Sequence, residues 1–217
     1  MDNKIEEVKY YVKNILSLEA TGHDYFHSLR VMNNAIQISR DLDVDIELIK
    51  LACLTHDLID KKVSENIELS KKELLEKLSS LGYKETRIDN VINIIENVSY
   101  SKGNVPSTLE GKIVQDADRL DALGAIGIAR TFAYGGNNNR LIYNPGSSDD
   151  SDSIYHFYDK LFKLTSLMNT KNARLIASKR TDLMKDYLDC FYKEWEGNDL
   201  SWKLSSWFST LIYKIKK

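Results

Sequence analysis

Four histidines and a handful of aspartates stand where helix-forming aliphatic residues otherwise dominate. In GHDYFHSLRV, His23 and His27 are four residues apart, which puts both on one helical face once a turn has closed before Tyr25. One of them can bind a cation while the other meets a ligand. In LACLTHDLID, His56 and Asp57 end an apolar helical stretch, so two polar groups arrive where aliphatic surface is being buried. An uncompensated buried carboxylate is costly, and imidazole nitrogen with carboxylate oxygen is a good donor set for a divalent metal. A simple His–Asp hydrogen bond at a helix end accounts for the dipeptide equally well at this level. In VQDADRLDALGAIGIAR, Asp116, Asp118 and Asp121 interrupt an Ala-, Leu- and Ile-rich run, with Asp118 and Asp121 on a shared helical face. They lie well inside a helix expected to start near Ser107, so attraction to a helix N-terminus does not explain them. His156 and Lys160 form a further pair at i,i+4 after a polar segment.

The elements that must position these groups are helices. Apolar residues recur at spacings of three and four, which predicts helices over about 3–18, 25–41, 46–60, 67–81 and 86–98, with a break at Gly82-Tyr83. Ser107 and Glu110 have capping-box spacing and open a helix carrying the acidic cluster. A further run extends through Ala133, and helices follow over 154–168, 171–195 and 200–215. No segment has the period of two that a sheet requires, so the fold class is all-α, a single-domain helical bundle spanning 1–217. Residues 135–153, GGNNNRLIYNPGSSDDSDS, are expected as one long polar loop, either a lid or a disordered stretch. The aromatic residues are expected mainly in packing, with Trp202 and Trp207 on the terminal helix.

The chain has 30 basic and 32 acidic residues, a net charge of −2, and no basic aromatic surface motif, which disfavours nucleic acid and anionic membranes as partners. No apolar run reaches the roughly 20 residues that span a bilayer, and the N-terminal stretch lacks the apolar core of a signal peptide, so a cytoplasmic location is expected. Cys53 and Cys190 form no CxxC pair and are expected as buried thiols.

GHDYFHSLRV, LTHDLIDKK and QDADRLDALGAIG, in that order, resemble the H…HD…D motifs of HD-superfamily phosphohydrolases. SIYHFYDKLFKL, MNTKNAR and FYKEWEG are similar to one bacterial branch of that superfamily, some members of which cleave nucleoside triphosphates to monophosphate and pyrophosphate, and the resemblance runs from about residue 20 to 197. It implies an HD-domain helical bundle with one divalent cation held by His27, His56, Asp57 and Asp118. Two open octahedral positions suit Mn²⁺ or Mg²⁺, and the two imidazoles also accept Fe, Co or Ni. The chain departs from guanosine-tetraphosphate hydrolases, since HDLIDKK lacks the HDxxED pair, and from cyclic-dinucleotide hydrolases, since no GYP-type segment follows.

The expected activity is hydrolysis of nucleoside triphosphates, with deoxyribonucleotides preferred, to monophosphate and pyrophosphate. The alternatives are a deoxynucleoside 5′-monophosphatase and a catalytically silent helical nucleotide-binding regulator. Asp60 and Asp121, three residues after Asp57 and Asp118, are the candidates to orient water or accept its proton. Substrate contacts are expected from His23, Arg30, Lys62, Arg119, His156 and Lys160, with a phosphorylated small molecule as partner and a homodimer as the minority assembly.

Overall fold

The computed structural model describes residues 2–16, 24–60, 63–64, 66–98, 104–146 and 152–198. The chain runs through α1 (Asp2–Leu16), α2 (Tyr25–Ile38), α3 (Ile46–Thr55), α4 (Ile67–Ser80), α5 (Glu85–Val98), α6 (Leu109–Asp121) and α7 (Gly124–Asn137). A mixed helical segment follows: a π-turn (Phe157–Leu161), the one-turn α8 (Phe162–Leu164) and a 3₁₀ turn (Thr165–Leu167). The long α9 (Lys171–Trp195) comes last. Among the described residues there is no strand, only an isolated parallel bridge between Leu141 and Asp152. The expected helix over 200–215 lies outside the described residues.

Local chemistry sets most of the helix starts. Asp24, Asp45, Asn66, Thr108 and Thr170 each accept a hydrogen bond from the backbone N–H three residues on, the N-cap geometry that satisfies an otherwise orphaned donor. The expected box at Ser107 and Glu110 is shifted by one residue. Thr108 takes the cap, and the Glu110 carboxylate instead accepts from the Asp45 N–H, tying α6 to the start of α3.

α2 packs on α6 and α3, and α7 packs on α9. Val31, Ala35 and Ile38 of α2, Leu51, Ala52 and Leu54 of α3, and Ile113, Val114, Ala117 and Leu120 of α6 are fully buried, and burying each Val, Leu or Ile among them stabilises by about 1.5–3 kcal/mol. Polar ties fix the register. Asn34 donates to the Ala117 carbonyl at 3.2 Å, and Arg180 donates to the Leu120 carbonyl at 2.5 Å and to Asn34 Oδ1 at 2.8 Å, so α2, α6 and α9 share one network. Gly124 opens α7 at φ 76°, where a Cβ would also meet the Arg180 stem at 3.0 Å.

Three expectations are corrected. α3 ends at Thr55 rather than near residue 60: His56 caps it, and Leu58 and Asp60 donate back to Thr55 and Asp57 in successive tight turns. Gly135, Gly136 and Asn137 finish α7 instead of starting a loop, because Arg140 and Asn138 donate to the Gly135 carbonyl and close the helix end. Residues 141–142 and 152–154 are then clamped together by hydrogen bonds from Ser153 to Leu141 and from Ile154 to Ile142. Cys190 is only half-buried, unlike Cys53, because the core stripe of α9 (Ala177, Thr181, Met184, Leu188) lies on a different face.

Candidate metal centre

Three elements bring the motif residues together. α2 supplies His27, the turn after α3 supplies His56 and Asp57, and α6 supplies Asp118 and Asp121. His27 is fully buried and is bracketed by the two aspartates of α6, one on each ring nitrogen. Nδ1 lies 2.7 Å from Asp121 Oδ2, and Nε2 lies 3.4 Å from Asp118 Oδ1 and 3.4 Å from Asp57 Oδ2. Spacing of three on one helix thus serves two different jobs.

His56 Nδ1 lies 2.9 Å from the Cys53 carbonyl oxygen, which can only accept, so Nδ1 carries the proton. Its Nε2 faces His27 Nε2 at 3.3 Å and lies 3.4 Å from Asp57 Oδ1 and 3.8 Å from Asp118 Oδ1. Two imidazoles with both Nδ1 atoms occupied by acceptors turn their Nε2 atoms to one another across a gap lined by two carboxylates. A shared cation is the compensation this arrangement calls for. One ligand atom from each of His27, His56 and Asp118 falls within 4.8 Å of the others, the span of a shared ion.

The electrostatics agree. Burial alone lowers the His27 pKa, but the hydrogen bonds to Asp118 and Asp121 and the charges of Asp57 and Asp118 overcome it and raise it to about 9. Burial pushes Asp118 and Asp121 upward, yet His27 and nearby cations hold both below the usual carboxylate range, Asp121 at about 2. The site is a pocket of negative charge that holds on to a positive one.

Asp121 does not face this gap as an acid–base group. Its oxygens take the Arg30 guanidinium at 2.8 and 3.0 Å and Arg130 at 2.8 Å as well as His27 Nδ1, so the carboxylate acts as a bracket behind the His27 ring. Arg119, expected among the substrate contacts, turns the other way, is buried, and donates to the Leu167 carbonyl at 2.5 Å. Asp116 is also structural: Asn169 and Thr170 donate to it through backbone and side chain at 2.8–2.9 Å, pinning α6 to the start of α9. Asp60 follows on the Asp57 turn and is half-buried. His23 and Lys62 lie outside the described residues.

Beside the centre lies a cleft of about 480 Å³ whose lining includes Arg130, Arg140, His156 and Lys160. Two of these, His156 and Lys160, are legible from their spacing. Arg130 and Arg140 were missed, although Arg130 closes the GAIGIAR segment one helix beyond the acidic cluster. Its ion pair with Asp121 links the cleft wall to the His27 bracket.

Residues 24–123 match the HD domain family. The chain is 37% identical over 198 residues to YpgQ of Bacillus subtilis, covering 89% of this chain and 95% of that protein. The crystal structure of Bacillus subtilis YpgQ in complex with ADP superposes with a TM-score of 0.76 at 36% identity, covering 88% of this chain and 97% of that one. An HD-superfamily hydrolase from Bacillus thuringiensis gives 0.76 at 42% identity over 90% and 98%. With the motif, the fold and relatives matched over nearly their full length, the chain belongs to the HD-domain family of hydrolases.

Proposed function

We propose that this protein is a metal-dependent phosphohydrolase that converts nucleoside triphosphates, deoxyribonucleotides preferentially, to monophosphate and pyrophosphate, with His27, His56, Asp57 and Asp118 as the metal ligands. The observation that carries the reading is the pair of His27 and His56 Nε2 atoms facing each other at 3.3 Å between two carboxylates. A divalent cation bound there would polarise a phosphate oxygen and acidify a water molecule. The chain's own residues supply the rest. Asp121, neutralised by Arg30 and Arg130, keeps the His27 proton on Nδ1 and the ring in place. Cys53, through its carbonyl, does the same for His56. Asp60, on the Asp57 turn, is the carboxylate assigned to accept the proton of the attacking water. The water oxygen bonds to the α-phosphorus, the bond from that phosphorus to the bridging oxygen breaks, and pyrophosphate leaves. The nucleotide class is supported by the relative YpgQ, whose crystal structure is of a complex with ADP.

Metal-free protein reconstituted with Mn²⁺ or Mg²⁺ and given nucleoside mono-, di- and triphosphates tests this directly, with phosphate and pyrophosphate quantified separately. Pyrophosphate from triphosphates is the expected product. Orthophosphate from monophosphates alone, with triphosphates untouched, would assign the nucleotidase alternative instead.

A further inference from the structure

We propose that the aromatic face at the C-terminal end of α9 is a docking surface for the chain's own residues 200–215, folded back along α9 as an amphipathic helix. Those residues lie outside the described ones. The surface α9 leaves in solvent, the turn that follows it and the sequence beyond that turn point to the same pairing.

Tyr187, Phe191 and Trp195 stand four residues apart along α9, with successive ring centroids at 6.4 and 6.2 Å. Tyr143 packs against the edges of this row, 5.8 Å from Phe191, 5.5 Å from Tyr192 and 5.1 Å from Trp195. The Tyr158 hydroxyl lies 3.4 Å from that of Tyr192, which extends the same surface. Its outer members stay in water: Trp195 is 55% exposed, Tyr158 49%, and Ile142, next to Tyr143 in the chain, 61%. Continuous apolar surface left in water marks an interaction site.

The way the chain leaves α9 sets its direction. Gly197, at φ 69°, donates to the Glu194 carbonyl at 3.1 Å, and Asn198 donates to the Lys193 carbonyl at 2.8 Å, the paired bonds of a Schellman motif that turns the chain off the helix axis. Residues 196–199 are a connection short enough to set a following helix antiparallel to α9. At about 1.5 Å per residue, a helix over 200–215 is about 24 Å long and runs back beside the whole aromatic row.

The sequence of the segment fits that surface. Leu200, Leu204, Trp207, Leu211 and Ile215 recur at spacings of three and four, one apolar stripe of a helix. Residues 200–217 carry Lys203, Lys214, Lys216 and Lys217 and no acidic residue. On α9 the exposed Asp182, Asp186, Asp189 and Glu194, with Glu196 just beyond, outnumber Lys185 and Lys193. A basic amphipathic helix also suits an anionic membrane surface. The acidic flank of α9 repels such a surface and attracts the lysines, which decides for α9 as the partner.

Amide hydrogen exchange of the full-length protein tests this, measured at two concentrations about tenfold apart, alone and with vesicles of phosphatidylcholine and phosphatidylserine. Residues 200–215 should exchange at least about 100-fold more slowly than an unstructured chain, equally at both concentrations and without vesicles. Trp195→Ser on α9 and Leu211→Asp in the segment should each speed that exchange about tenfold or more, while Trp202→Ser, off the apolar stripe, should not. Exchange within α2 and α6 should be unchanged in all three, and variants on both sides of the contact guard against one that disturbs α9 itself. Exchange of 200–215 at the unstructured rate, or protection that survives Trp195→Ser and Leu211→Asp, would overturn the docking. Protection only at the higher concentration would assign the surface to a second copy of the chain, and protection only with vesicles would assign the segment to a membrane. Either result overturns the fold-back.

Discussion

Two clefts of nearly equal size differ in the chemistry of their described linings. The cleft beside the metal centre measures about 480 Å³ and that formed by the starts of α1, α3 and α5 about 460 Å³. In the second, opposite charges answer one another: Arg87 pairs with Asp45 and, at 3.8 Å, with Glu47, while Lys4 donates to the Gly82 carbonyl at 2.9 Å and sits over the Tyr83 ring at 4.8 Å. In the first, two guanidinium groups, an ammonium and an imidazole line the described wall, and Arg130 donates to Asp121, which also backs the His27 ring. Volume says little about function here. The chemistry of the lining says more, because it decides which groups of a ligand a cleft can meet.

The sharpest way to break this comparison is at the ligands. Asp57→Ala removes a donor and much of the negative charge, and should abolish most bound metal and lower turnover about 10³-fold or more, read by metal analysis and product release. The matched change in the self-neutralised cleft, Asp45→Ala, should leave turnover intact and cost about 1 kcal/mol of stability for the lost cap, read by urea unfolding.

Asp121→Asn keeps an acceptor for His27 Nδ1 but removes the charge that Arg30 and Arg130 balance, and should weaken Mn²⁺ binding about 10–100-fold. If Mn²⁺ affinity is unchanged, the carboxylate does not support the ligand.

On the substrate side, Lys160→Met, at a position the sequence assigns to substrate contact, should raise KM for triphosphates about tenfold, whereas Arg87→Met in the other cleft should leave KM alone. Equal effects from both would erase the distinction between the clefts.

A pH series separates the centre from the rest of the fold. The His27 pKa is raised from 6.5 to about 9, so its contribution to the metal-free fold is fully present below about 6.5 and is lost as pH rises through about 9. For this buried group that amounts to roughly 3 kcal/mol, visible as a falling melting temperature of metal-free protein over that window. Metal takes the proton's place, so apparent Mn²⁺ affinity should rise with pH over the same window. A flat melting temperature in metal-free protein would count against a charged His27.

The smallest expected effect is mechanical. Gly135→Ala sets a Cβ against the Ser153 hydroxyl, which can turn aside, and should cost at most about 1 kcal/mol by urea unfolding while leaving Mn²⁺ affinity unchanged.

Much of this molecule was legible in the chain. Apolar spacing of three and four places nearly every described helix, because burying one stripe is the requirement a helix cannot avoid. The ordered His27, His56-Asp57 and Asp118 motif marks the residues that converge, because buried imidazoles and carboxylates need a cation to compensate them. What spacing could not assign was direction. Asp118 and Asp121 share a helical face, yet one opens towards His27 Nε2 and the other backs Nδ1, a division decided only once α2 lies across α6. Arg119 sits beside Asp118 in sequence but points to the Leu167 carbonyl, while Arg130, nine residues after Asp121, folds back to meet it. Local periodicity determines which residues are buried together on one element. Which ring nitrogen, which carboxylate oxygen and which wall of a cleft each one reaches depends on helix-to-helix register, and long-range packing sets that register.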